Sequence, residues 1–405
     1  MAADHGAAHP PSALEGLRVL ELGTLIAGPF CTRILAEFGA EVIKIETPGE
    51  GDPLRTWRKL YNGTSLWWFV QSRNKKSVTV NLRHPGGQEI VRRIASGCDI
   101  VVENFRPGAL EKWGLGYERL SADNPGLIMV RLSGYGQTGP YRDRPGFGAI
   151  AEAMGGIRFV TGHPDRPPVR AGISLGDSVA ALYGVIGALM GLHQRAVNGG
   201  RGQVVDVALY EAVFSLMESL LPEYDMFQFV RTRSGASLPG IVPSNTYLTR
   251  DGKYIVIGAN ADSIFKRLMI AIGREDLAQD ASLARNEGRV ARTDELDQVI
   301  ADWCAQHDLA EVLTVLAQAE VPSGKIYDIA DIVRDAHYQA REMLERHALP
   351  DGAQIKLPGI VPKLSATPGA THWLGPALGA HTEEVLAGVG YTARDIERLR
   401  DEGVV

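Results

Sequence analysis

The sequence has only three cysteines in 405 residues, Cys31, Cys98 and Cys304, and no C-x-x-C pair. That excludes a disulfide framework or zinc knuckle and points to reduced thiols in a cytoplasmic protein. The ten histidines form no H-E-x-x-H or other paired spacing, so no metal site is expected. No long basic run is present and the net charge is −6, which argues against a partner tracked through nucleic-acid phosphates. Gly, Arg or His interrupts each apolar stretch before the ~20 residues a membrane span needs, so a soluble protein with no membrane partner is expected. The opening MAADHGAAHPPSALEG lacks a basic n-region, an apolar h-region and any arginine before Arg18. It reads as a short disordered lead, not a secretory signal or transit peptide.

What is present is an ordinary globular composition, 45% hydrophobic and 22% charged, in a chain long enough for two domains. Strand-like runs at Leu17–Leu22, Glu41–Glu46, Asp99–Glu103 and Leu127–Leu132 alternate with helical spacing at Pro29–Phe38 and Gly86–Ala95. Such alternation predicts a parallel sheet with crossover helices, a doubly wound α/β layer. A second region starts near Glu223, with a strand at Lys253–Gly258 and helices at Ser263–Ile272, Thr293–Gln306 and Leu309–Gln318; Pro322-Ser-Gly324 closes it. The tail carries strand signals at Gln354–Leu357 and Gly359–Leu364 and two helices starting near His381 and Thr392. The expected division is a Rossmann-like large domain over 14–222, a smaller α+β domain over 223–330, and a linker and return to the large domain over 331–405.

Several short motifs fail on context. Gly134-Tyr-Gly136-Gln-Thr-Gly139 matches the dinucleotide fingerprint, but Pro140-Tyr-Arg-Asp-Arg-Pro145 follows where a helix must open. Gly172-Ile-Ser174-Leu-Gly176 matches a nucleophile elbow, yet Pro167–Gly172 is a poor central strand. Gly23-Thr-Leu-Ile-Ala-Gly28 has P-loop spacing, but Pro29-Phe30 replaces the phosphate-gripping Lys-Ser/Thr.

Asp177 stands directly before an apolar helical run, where an aspartate is a good N-cap. The same run holds Gly184, Gly187 and Gly191 and is preceded by Gly172 and Gly176, a backbone that a bulky ligand can approach closely. An aspartate carboxylate is ionised at neutral pH and needs no partner base to act as a nucleophile. Pattern alone leaves capping and catalysis both open.

A set of ordered stretches narrows the choice: Leu14-Glu-Gly-Leu-Arg-Val-Leu-Glu-Leu22, Gly39-Ala-Glu-Val-Ile-Lys-Ile-Glu46, Arg73-Asn-Lys-Lys-Ser77, Val102-Glu-Asn-Phe-Arg-Pro-Gly108, Ser133–Pro140, Gly200-Arg-Gly-Gln203 and Leu378-Gly-Ala-His-Thr382. In order and spacing the chain resembles the family III CoA-transferases, the CaiB–BaiF family, from Leu14 to Val405. The resemblance implies an interlocked homodimer whose large domains are each built from both chain ends. It places the family's nucleophile on Asp177, which attacks a donor thioester to give an aspartyl–acyl anhydride and then an aspartyl-CoA thioester. Coenzyme A is then a cosubstrate, and no permanently bound cofactor is implied. Tyr135 matches a position beside the reacting groups, or is simply a packed loop tyrosine. Gly134 and Gly136 suit a loop of oxyanion-binding amides. Family CoA contacts fall on Thr24, Leu25, Arg83, Asn104, Phe105 and Lys112; Arg83 and Lys112 equally suit a solvated surface, and Phe105 a core.

The sequence departs from the formyl-CoA:oxalate branch. Ile26 replaces an active-site glutamine, Thr47 an arginine and Ser133 a lysine, and no glycine-rich lid lies around Ser234–Gly240. The expected donor is succinyl-CoA and the expected acceptor a small dicarboxylate such as glutarate, citramalate or mesaconate. The alternative is an α-methylacyl-CoA racemase, whose proton shuttle needs a histidine. Phe147 occupies that position and Gly148 the aspartate position after it.

Overall fold

The computed structural model describes residues 12–405, so the lead expected at the N-terminus lies outside the described residues up to position 11. The chain divides into two compact units. The first runs to Ile157, resumes over Ala171–Pro222 and ends with Glu342–Val405; the second comprises Arg158–Arg170 and Glu223–Arg341. The chain returns to the first unit at Glu342, within the stretch 331–405 read as linker and return, and Pro322–Gly324 lies inside the second unit.

The first unit is the expected α/β layer. Its elements are β1 (Arg18–Glu21), α1 (Ala27–Glu37), β2 (Glu41–Glu46), α2 (Leu66–Gln71), β3 (Lys75–Thr79), α3 (Pro85–Ser96), β4 (Ile100–Glu103), β5 (Ile128–Ser133), α4 (Gly148–Met154), α5 (Leu175–Val197) and β6 (Val204–Ala208). The six strands pair in the order β3-β2-β1-β4-β5-β6, and every pairing is parallel. Successive residues of β1 and β4 enter opposite cores, because both sheet faces are covered. Leu20, Ile43 and Val101 pack with Ile90 and Ile94 of α3 and with Leu386 and Leu399 of the C-terminal helices. Val19, Val42 and Ile100 pack with Cys31 and Leu35 of α1 and Ala180 and Ala181 of α5. The strand signal at 359–364 forms no strand; the hairpin there pairs Leu344–Ala348 with Gln354–Pro358.

α5 corrects the sequence reading of apolar runs. Its 23 residues form one uninterrupted helix, long and apolar enough to cross a membrane by length and composition, and 39% of its most apolar window is buried. The glycines do not break it; they let it lie on the sheet. A Cβ on Gly184 would meet Cys31 Sγ at 3.1 Å, one on Gly191 would meet Ile128 at 3.2 Å, and one on Gly187 would overlap Val205.

The second unit centres on an antiparallel sheet of β7 (Ser244–Leu248), β8 (Tyr254–Gly258) and β9 (Ser323–Lys325), with β8 in the middle. Ile255 and Ile257 pack against helices at Asp262–Ala271, Thr293–Ala305 and Leu309–Gln318. Arg289 is fully buried there, but its guanidinium donates to the carbonyls of Val242, Leu283 and Asn260 and pairs with Asp262 at 2.8 Å.

Candidate functional site

Strand order reverses between β1 and β4, since β1 is followed by β2 on one side and α3 carries the chain over to β4 on the other. In an open parallel sheet the crevice at such a switch point is where nucleotides bind. The loops leaving these two strands carry Thr24, Leu25, Asn104 and Phe105. Asn104 fastens them together: its side-chain amide donates to the Thr24 carbonyl at 2.9 Å, and its carbonyl accepts the Thr24 N–H at 2.8 Å. Gly23 is required beneath this pair, because a Cβ there would come within 2.9 Å of Asn104 Oδ1. Leu25 adopts φ +65°, a strained conformation for a branched side chain. Its N–H is held by the Asp52 carboxylate at 3.1 Å.

A charged network that the sequence reading missed supports this loop from below. Lys44 lies within 2.7 Å of Glu21 and 2.8 Å of Asp52 and donates to the Gly23 carbonyl at 3.0 Å. Lys75 pairs with Glu21 at 2.8 Å and donates to the Pro29 carbonyl. All four side chains are buried. Burial pushes the Glu21 pKa up, but the two ammonium groups outweigh it and hold it at about 2. Glu21 carries one charge for two lysines. Asp52 joins it at Lys44, whose pKa stays above the ordinary range despite burial, whereas at Lys75 burial prevails and lowers the pKa to about 8. The sequence signal was available: Glu21 and Lys44 are charges set inside strands that are otherwise apolar.

The other candidate CoA contacts are more dispersed. Phe105 meets Trp113 edge-on at 5.3 Å and packs on the α3-side core. Arg83 follows β3 and Lys112 ends the short helix Ala109–Lys112; both are exposed, and among the described residues neither forms an ion pair. Ile26 is buried at the start of α1, with its carbonyl accepting from Gln71 at 3.1 Å.

The second part of the site follows β5. The loop after Ser133 folds back on itself, since a Cβ on Gly134 would meet Gly146 Cα at 3.0 Å. Tyr135 is packed between Tyr141 and Tyr210, with ring centroids 6.0 and 6.4 Å away. The Gly136 N–H donates to Ser133 Oγ at 3.0 Å and the Gln137 N–H to Asp206 at 2.9 Å. Those amides already have acceptors, so the expected oxyanion role does not fall on Gly136. The loop remains irregular until Gly148 opens α4.

There it meets α5. The helix begins at Leu175 with Ser174 as N-cap residue, so Asp177 lies in its first turn and is not the cap. The Gly176 N–H donates to the buried Glu152 carboxylate of α4 at 3.3 Å, and the helix starts three residues before the position a cap at Asp177 would give. Asp177 is half-buried, and its carboxylate lies directly against Gly148 Cα. The positive end of a 23-residue helix favours the ionised carboxylate. The arrangement is a carboxylate in the first turn of a long helix, packed against a glycine of the neighbouring helix. Phe147, at the position where a racemase needs histidine, is 71% exposed.

Comparison with known proteins is consistent along the chain. A model described as CoA-transferase family III matches residues 14–382. A succinyl-CoA–D-citramalate CoA-transferase of Chloroflexus aurantiacus is 52% identical over 98% of this chain and 99% of that protein. A succinyl-CoA:glutarate CoA-transferase of Mus musculus is 34% identical, over 97% of this chain and 90% of that protein. The crystal structure of a CAIB/BAIF family protein from Brucella suis superposes with a TM-score of 0.82 at 34% identity, covering 94% of this chain and all of that one.

Proposed function

This chain belongs to CoA-transferase family III, and from that premise we propose that it moves CoA from succinyl-CoA to a small dicarboxylic acid through covalent intermediates on Asp177. Citramalate and glutarate are the first acceptors to test, being the acids named for its relatives. The observation that carries the proposal is the Asp177 carboxylate in the first turn of α5, packed close against Gly148 at the start of α4.

The steps balance without any redox change. An Asp177 oxygen attacks the thioester carbonyl; the C–S bond breaks and the CoA thiolate leaves a mixed anhydride. The thiolate then attacks the Asp177 carbonyl, expelling the donor acid as carboxylate and leaving an aspartyl-CoA thioester. An acceptor carboxylate attacks that thioester, and the same two steps run in reverse. One activated acyl bond is conserved throughout, so the site has to keep water away from the anhydride.

The switch-point loop with Thr24, Leu25, Asn104 and Phe105 suits the nucleotide end of CoA, and the unpaired Arg83 and Lys112 suit its phosphates. Tyr135, Gly134 and Gly136 belong to the acyl end, because the loop after β5 leads to Gly148 beside Asp177, and Ile26 joins them through the groove it lines with Ser174 and Ser178. A homodimer, interlocked as the family resemblance implies, would cover Leu182, Ile186, Leu189 and Met190, which are exposed along the outer face of α5. Three buried free thiols fit a reducing cytoplasm.

The test is incubation with succinyl-CoA and a panel of free acids, following new acyl-CoA species by mass spectrometry, with Asp177→Ala in parallel. Transfer to one acid that vanishes in the variant supports the reading; transfer that survives in the variant overturns it.

A further inference from the structure

A groove of about 690 Å³ runs between α1, α2, the turn before α2 and the start of α5. Three cations line it, Arg33, Arg58 and Lys59, and no carboxylate does. Its other walls are apolar or neutral, among them Ile26, Trp67 and Ile173. At one end it reaches Ser174 and Ser178, which share a face of α5 one turn apart and flank Asp177 in sequence.

The two guanidinium groups are positioned to receive an anion. Arg33 lies over the Phe30 ring at 4.3 Å and Arg58 over the Trp67 ring at 4.7 Å. Stacking holds each plane against a wall and leaves N–H edges for a carboxylate. Among the described residues Arg33 pairs with Glu37 alone, at 3.2 Å, and Glu37 is shared with Arg73 at 2.8 Å. The buried Arg33 Nε is the atom that faces Glu37, without a well-aligned hydrogen bond to it. Arg58 has no ion pair among the described residues and adopts φ +60°, an uncommon backbone conformation for an arginine. An excess of positive charge in an apolar-walled groove that reaches the first turn of α5 is a site for the second charge of a dianion.

We propose that this groove binds the remote carboxylate of the dicarboxylic substrate, the one that does not react, with Arg58 as its principal contact and Arg33 behind it. The inference rests on the transferase reading for its substrate class, and it makes the groove the place where diacids are separated from monoacids.

The test compares glutarate with its monomethyl ester, which keeps one carboxylate and nearly the same length, at a common donor concentration. The wild type should favour the diacid in kcat/KM, and Arg58→Gln should reduce that preference by about 10- to 100-fold, the worth of one charged hydrogen-bonded contact. An unchanged ratio in Arg58→Gln overturns the proposal. Quenching of tryptophan fluorescence by glutarate, with Trp67→Phe as control, reads the groove without turnover. Quenching that Arg58→Gln abolishes supports the groove even if no acid accepts CoA, in which case the transferase reading is what fails. Quenching by diacid and half-ester alike overturns the groove alone. If Arg58→Gln proves unstable, Lys59→Gln carries the same two measurements.

Discussion

The carboxylate of Asp177 rests against the Cα of Gly148, so closely that a Cβ on Gly148 would stand 2.7 Å from Asp177 Cγ and overlap one carboxylate oxygen. Two elements distant in sequence, the start of α4 and the first turn of α5, meet at this point, and only a glycine lets them meet with the carboxylate in place.

Gly148→Ala therefore separates geometry from stability. Alanine is the better helix former by roughly 0.5–1 kcal/mol, and Gly148 is not among the positive-φ residues, so the melting temperature should change little. The added methyl displaces the carboxylate, and a shift of that size should lower kcat by about 100-fold. Steady-state kinetics beside thermal unfolding checks both halves; a variant with full activity would show that the Asp177 position is not critical.

Asn104→Ala should act on the nucleotide end instead. It removes both hydrogen bonds that tie the Thr24 peptide to the end of β4. At about 0.5–1.5 kcal/mol for each bond, KM for the acyl-CoA should rise roughly tenfold while kcat falls less. The KM of the free acid should stay near the wild-type value, which initial-rate measurements against each substrate would show.

Glu21 makes acid stability a readout of the buried network. Its folded-state pKa of about 2 lies below the ordinary 4.5. The unfolded chain therefore binds the extra proton first, and the stabilisation is complete above pH 4.5 and lost as pH falls towards 2. Urea unfolding should show midpoints that fall steeply through this window. Glu21→Gln should flatten that part of the slope, and it should cost about 3–5 kcal/mol near neutral pH because Lys44 and Lys75 remain buried.

Much of the fold was legible in the chain. Glu41–Glu46 and Leu127–Leu132 read as strands because their apolar content leaves few other ways to be buried, and both are strands of the parallel sheet. β3 was harder to read: its first two residues are Lys75 and Lys76, and burial of Lys75 in the strand depends on its tertiary pairing with Glu21. The length of α5 was underestimated because glycine interrupts hydropathy in a sequence but not a helix whose glycines face a sheet.

For the site, the family resemblance carried by the order of motifs singled out Asp177, Tyr135 and the candidate CoA contacts as expectations. Pattern left Asp177 open between cap and catalytic group; the cap is Ser174, and the Glu152 carboxylate accepting from Gly176 at the helix start is a contact across 24 residues of chain. The cationic groove carries no sequence motif at all. Arg33, Arg58 and Ser178 lie on separate elements, and a preference for one charge over another depends on distances between them. Local pattern fixes which residues are present and how each segment curls, because those depend on neighbours along the chain; whether charges converge on a common space depends on packing, which only the folded chain decides.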